Sequence, residues 1–169
     1  MDLETVVAAL APRLIAYALG RTGCYSTAED VAQEALAALV QRWRGAGPPE
    51  SPEAFVFAIA KRRASRANAR RALLAPLDAL NGALGREPGA DERYEHRTEL
   101  NVVLAAMRQL RRTDREVLFL RLAGELEMDE IAAITGTTPA AVKMRLHRAR
   151  HRLAALLPES EYGKRKQTA

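Results

Sequence analysis

The helical pattern of this chain stops once at length, in LLAPLDALNGALGREPGADERYEHR (residues 73–97), and resumes at TELNVVLAAMRQL. That segment mixes turn residues with both charge signs and carries no sustained helical stripe, so it reads as a linker. On either side alanine and leucine abound and alternating β-branched runs are missing, which points to helices throughout. The expectation is an all-α fold of two small helical modules, residues 1–72 and 98–157, joined by a flexible linker at 73–97 and followed by a loose tail at 158–169. Each module lies near the lower size limit for independent stability. With 48% hydrophobic and 28% charged residues, the 169-residue chain can nevertheless build real cores.

Within the first module a helix is expected over about residues 2–20, bent or restarted at Pro12 and ended by Gly20 and Gly23. STAEDVAQEALAALVQRWR follows, with Ser26 and Glu29 at capping-box spacing. After the loop GAGPPESP, another helix should start near Glu53 and run through AFVFAIAKRRASRANARR. The second module holds two helical stretches, TELNVVLAAMRQL and TDREVLFLRLA, the latter opened by a second capping box from Thr113 and Glu116. Two short helices remain, one around 128–135 ended by Gly136 and one from about 138 to 156.

A formal charge of +5 favours an anionic partner and says nothing about fold. Cys24 is the only cysteine, so no intramolecular disulfide forms and a reducing compartment is expected. The amino terminus lacks the basic start and small-residue cleavage site of a signal peptide. No apolar run approaches the roughly 20 residues needed to cross a bilayer. The expected location is the cytoplasm, without membrane contact. No Gly-rich phosphate loop, metal cluster or nucleophile with a paired base is visible, so neither an enzyme nor a bound cofactor is expected.

The densest positive charge sits in PAAVKMRLHRARHRL, which holds Lys143, Arg145, His147, Arg148, Arg150, His151 and Arg152 without one acid. At 100° per residue, Val142, Leu146, Ala149 and Leu153 share one side and should enter the core. Ala140, Met144, His147 and His151 point the opposite way, flanked by Lys143 and Arg148, with Arg145 on one shoulder. The preceding short helix offers Ile131 and Ile134 to the same core. Two helices joined by a tight Gly-containing turn, the second basic, make a helix-turn-helix unit whose second helix suits the major groove. His147 and His151 also have the i, i+4 spacing of a metal pair, but no carboxylate or thiol stands near them.

LRRTDREVLFLRLAGELEMDEIAAITGTTPAAVKMRLHRARHRL resembles region 4 of the extracytoplasmic-function (ECF) group of bacterial sigma factors. AAVKMRLHRAR is similar to that family's GTVKSRLHRAR run. The resemblance implies that this module binds the minus-thirty-five promoter element as duplex DNA and touches the flap of the polymerase β subunit. Carried over by position, Lys143, Met144, His147 and Arg148 face the promoter, with Arg145 beside them. Met144 stands where the family often has serine.

In the first module AEDVAQEAL resembles the AEDLVQEAF signature of sigma region 2.2, which grips the clamp helices of the polymerase β′ subunit. Val31, Ala35, Leu36, Leu39, Val40 and Trp43 form its inward face. Asp30, Gln33 and Glu34 lie on a separate polar stripe and become the polymerase contacts. SPEAFVFAIAKRRASRANARR corresponds to regions 2.3 and 2.4, which open and read the minus-ten element. Lys61, Arg62 and Arg66 suit the phosphates of a separated strand. Phe55 and Phe57 are the rings available to stack on unpaired bases, or else they are core, and Phe57 is the better exposed candidate. Arg63 falls on the expected apolar side and has to snorkel outward along its stem.

The reading is a sigma factor that binds core RNA polymerase and directs promoter-specific initiation, with an anti-sigma protein as a further partner in many family members. The alternative is a helix-turn-helix regulator that binds operator DNA without polymerase, which leaves the Asp30-Gln33-Glu34 stripe unused. In the linker, Asp78, Glu87, Asp91 and Glu92 act either as a polyanion in the RNA exit path or as part of a solvated tether.

Overall fold

A computed structural model describes residues 2–80, 102–103 and 105–157 of the chain, all helical or connecting in character. Three helices build the first module: α1 (Leu3–Thr22), α2 (Tyr25–Ala46) and α3 (Pro52–Leu80). In the second, a helical stretch at 102–103 and 105–108 precedes α4 (Arg112–Leu122), α5 (Met128–Thr135) and α6 (Pro139–Leu156). The all-helical expectation is therefore met. Side chains at 74–80 and the linker acids Glu87, Asp91 and Glu92 lie outside the described residues, as does the tail from 158. The backbone of α3 runs on to Leu80, through Asp78 and into the segment read as linker. Leucine and alanine, the strongest helix formers, dominate LLAPLDAL and outweigh Pro76 there.

The helix starts differ from the sequence signals in instructive ways. Helix α1 is continuous through Pro12, capped by the Asp2 side chain on the Thr5 amide and ended by Gly23 in the left-handed region, φ 66°. Helix α2 begins at Tyr25 with Cys24 as N-cap, which leaves Ser26 inside the first turn instead of capping it. Ser51 caps α3 by accepting from the Ala54 amide at 3.1 Å, with Pro52 in the first turn. The capping box expected from Thr113 and Glu116 is absent, because α4 starts at Arg112 and Glu116 is buried against α1. A capping box that the sequence pattern did not announce joins Glu127 and Glu130 at the start of α5.

Apolar residues at helical spacing set the packing. Val6, Leu10, Leu14, Tyr17 and Ala18 of α1 lie inward, and Ala28, Val31, Ala32, Ala35 and Leu39 of α2 meet them. By length and composition α1 is long and apolar enough to cross a membrane, contrary to expectation; here its stripe is spent on the core. The two modules share one hydrophobic cluster rather than two. Helix α1 packs on α4 and α3 on α5, which explains why Val117, Leu118, Phe119 and Leu120 are all buried in succession. A helix buried on one face alone would show only every third or fourth residue inside.

The seam between the modules is polar as well as apolar. The Phe119 ring lies where a Cβ on Gly20 would have to sit. Arg21 pairs with Glu116 at 3.7 Å, both side chains nearly sealed from solvent. Arg13 donates to the carbonyls of Ala123 and Gly124. Ser51 donates to Glu130 at 2.5 Å, and Lys61 donates to the Ile134 carbonyl at 2.7 Å. Four side chains of the first module, Arg13, Arg21, Ser51 and Lys61, thus bond to groups on the second.

Candidate nucleic-acid interface

The helix-turn-helix is built by local chemistry. Gly136 ends α5 in the left-handed region at φ 65°, and Thr138 accepts from the Ala141 amide to start α6, with Pro139 at its first position. Val142, Leu146 and Ala149 are buried and Leu153 packs against them; Ile131 is buried and Ile134 is half-buried beside the core. This registration turns Lys143, Met144, His147, Arg148 and His151 outward, all exposed, with Arg145 half-buried on the shoulder. Met144 keeps 57% of its surface in solvent, a large apolar group held out on a cationic face. Among the described residues no group of three potential metal ligands forms, and His147 and His151 gain no third donor.

A groove of about 610 Å³ opens along this face between α4 and α6, with Arg111, Asp114, His147, Arg148, His151 and Arg152 in its walls. Asp114, in the first turn of α4, is buried. Its carboxylate accepts from Arg148 Nη2 at 2.9 Å and from Arg148 Nε at 3.3 Å. The hydrogen bond and charge of Asp114 raise the Arg148 pKa above its ordinary value, so the guanidinium stays charged. Sequence reading passed over Asp114, because a first-turn acid is ordinary helix-dipole chemistry.

The first module brings two predicted groups together. Asp30 and Glu34 of α2 and Arg63, Arg66, Arg70 and Arg71 of α3 line a second groove of about 440 Å³. Asp30, Gln33 and Glu34 are all exposed. Glu34 pairs with Arg63 at 2.7 Å, both about half exposed, a contact of at most about 1 kcal/mol in such a setting. Arg63 reaches solvent as expected for a snorkelling side chain. Arg62 and Arg66 are exposed; Lys61 is half-buried, its ammonium on the Ile134 carbonyl.

Phe57 requires a correction. It is fully buried, its ring edge-on to Tyr17 at 5.4 Å and 84°, and cannot stack on a base from this position. The expectation assumed one narrow apolar face on α3. The helix instead meets α1, α2 and α5, so Val56 and Phe57 are both enclosed. Burial, then the neighbouring Glu116 carboxylate, pushes the Tyr17 phenol pKa well up. Phe55 is half-buried against the core, and among the described residues Tyr25 is the aromatic left well exposed, at 58%.

Comparison with known proteins fits both halves. Residues 6–73 match the sigma-70 region 2 family and residues 100–153 match sigma-70, region 4. The ECF RNA polymerase sigma factor ShbA of Streptomyces griseus is 33% identical over 138 residues, spanning 76% of this chain and 70% of ShbA. The ECF RNA polymerase sigma factor SigD of Mycobacterium tuberculosis is 29% identical over 160 residues, spanning 89% of this chain and 74% of SigD. The fold is shared with the sigma factor RpoE of Bartonella quintana, solved in complex with the anti-sigma factor NepR. That match has a TM-score of 0.70 at 22% identity and covers 95% of this chain and 99% of RpoE. An operator-binding regulator leaves residues 6–73 without a role, whereas a polymerase subunit uses both matched regions in their observed order. The chain belongs to the ECF-type RNA polymerase sigma factors, non-enzymatic proteins that direct RNA polymerase to promoters for the initiation of transcription.

Proposed function

We propose that α6 reads the minus-thirty-five element through Lys143, Met144, His147 and Arg148, with Arg145 supporting from the shoulder. In the same reading the Asp30-Gln33-Glu34 stripe of α2 docks on the clamp helices of the polymerase β′ subunit. The second module meets the β flap, and Arg62 and Arg66, both exposed, follow the opened minus-ten strand, while the Lys61 ammonium is engaged with the Ile134 carbonyl. The observation that carries the promoter assignment is the split of α6: Val142, Leu146 and Ala149 are buried while the cationic side is exposed. An exposed, cationic helix face after a tight turn is what duplex DNA requires of a reading helix. The proposed location is the cytoplasm, where template and polymerase are found. An anti-sigma protein is a further proposed partner, supported by fold likeness to RpoE, whose solved structure is a complex with one.

The test is a pull-down with core RNA polymerase, followed by run-off transcription on genomic fragments. Wild-type chain should bind core enzyme stoichiometrically and give discrete start sites, and an Asp30→Arg, Glu34→Arg double variant should lose both. Core binding unchanged in that variant removes the α2 stripe from the docking surface.

A further inference from the structure

Arg148 is not free on the reading face. From the geometry we infer that Asp114 is a positioning residue for promoter recognition: it fixes the guanidinium of Arg148 in one orientation and thereby sets base preference at a single promoter position. The inference rests on the reading above, in which Arg148 meets a base.

The carboxylate is buried behind the arginine, at the floor of the groove between α4 and α6. It takes the Nε–Nη2 edge of the guanidinium in two hydrogen bonds, 3.3 and 2.9 Å long. About half of the arginine side chain stays in solvent, so the Nη1 edge is the one left to face a ligand. A guanidinium is a planar fork, and fixing one edge fixes the direction of the remaining N–H bonds. An unpaired arginine samples many rotamers and reaches phosphates and bases alike. One held from behind by an immobile carboxylate presents donors in one direction, which favours the two acceptors of a guanine edge over a diffuse backbone contact. Asp114 is itself held by its place in the first turn of α4, where a negative charge is favoured by the helix dipole. Because that turn belongs to a different helix, α4 takes part in base choice without touching DNA.

The experiment is selection of duplexes with a randomised upstream element by the full-length chain bound to core polymerase. It is run on wild type, Arg148→Ala, Asp114→Asn, Asp114→Glu and Arg148→Lys, with a salt titration of affinity for each. Arg148→Ala should flatten preference at one position. Asp114→Asn should flatten that same position, by about tenfold in discrimination, and leave the other positions and the salt slope unchanged. Asp114→Glu should restore part of the preference. Arg148→Lys keeps the charge and the buried carboxylate but loses the fork, so it should flatten that position as Arg148→Ala does; Asp114→Glu, which displaces the carboxylate, carries the test if Asp114→Asn does not fold. If Arg148→Ala changes no single position, the assignment of Arg148 to a base is wrong and the inference goes with it. If Arg148→Ala flattens one position while Asp114→Asn, or Asp114→Glu where the former does not fold, keeps wild-type preference, the base contact stands and the role of Asp114 is overturned.

Discussion

Glu116 of α4 and Arg21 of α1 face each other at 3.7 Å across the seam between the modules, with only 10% and 4% of their side chains exposed. They tie the two halves of the chain by opposite charge in a poorly solvated place. Glu116→Ala strands the buried guanidinium of Arg21 and should cost about 3 kcal/mol of stability, within the range for breaking a buried pair on one side. Arg21→Met with Glu116→Leu removes both charges and should recover most of it. Urea denaturation of the three proteins checks the order.

Gly20 and Phe119 give a steric counterpart. Any side chain at Gly20 overlaps the Phe119 ring, so Gly20→Val should destabilise by about 1–3 kcal/mol through overpacking. Adding Phe119→Leu makes room and should return part of the loss. Thermal melts of the single and double variants give the comparison.

Thr138 starts the reading helix by accepting from the Ala141 amide at 3.2 Å. Thr138→Ala should lower stability by about 1 kcal/mol, the usual worth of such a cap, with Pro139 still favouring helix at the next position. The shift in denaturation midpoint measures it.

Lys143 is exposed on the reading face with no ion-pair partner among the described residues. As a phosphate contact, its alanine variant should weaken DNA binding evenly across sequences and lower the salt slope by about 1. A change confined to one base position assigns it to a base edge instead.

Cys24 offers a pH-dependent readout. Hydrogen bonding to Ser26, then to Thr27, lowers its thiol pKa to about 7, and Sγ lies 3.3 Å from the Ser26 hydroxyl. The thiolate is the reactive form, so iodoacetamide labelling should rise with pH through a midpoint near 7. Ser26→Ala removes the first stabilising partner and should move that midpoint upward.

The reading helix was legible because its information is local. A 100° periodicity separates Val142, Leu146 and Ala149 from Met144, His147 and Arg148, and Gly136, Thr138 and Pro139 each have one conformational preference at their positions. The seam was not legible, since nothing in local spacing says which helix a residue will meet. Glu116 sits three residues after Thr113 and mimics a capping box; only the arrival of Arg21 reveals its use. Phe57 looked free on a helix with one narrow stripe, and lost that freedom because Tyr17 and a third packing partner enclose it. Asp114 reads as a helix-start acid until α6 folds back to set Arg148 against it.

Lys61 donates to the carbonyl of Ile134, at the carboxyl end of α5, where helix carbonyls lack internal partners and a cation is favoured. The stop of that short helix is therefore supplied by a side chain 73 positions earlier in the chain, on a different helix. Separating the halves strips this ammonium from its acceptor and uncovers the Phe119 ring that lies against Gly20. Excised halves will underreport the solubility and rigidity of the intact subunit, and footprints obtained with them belong to a different molecule.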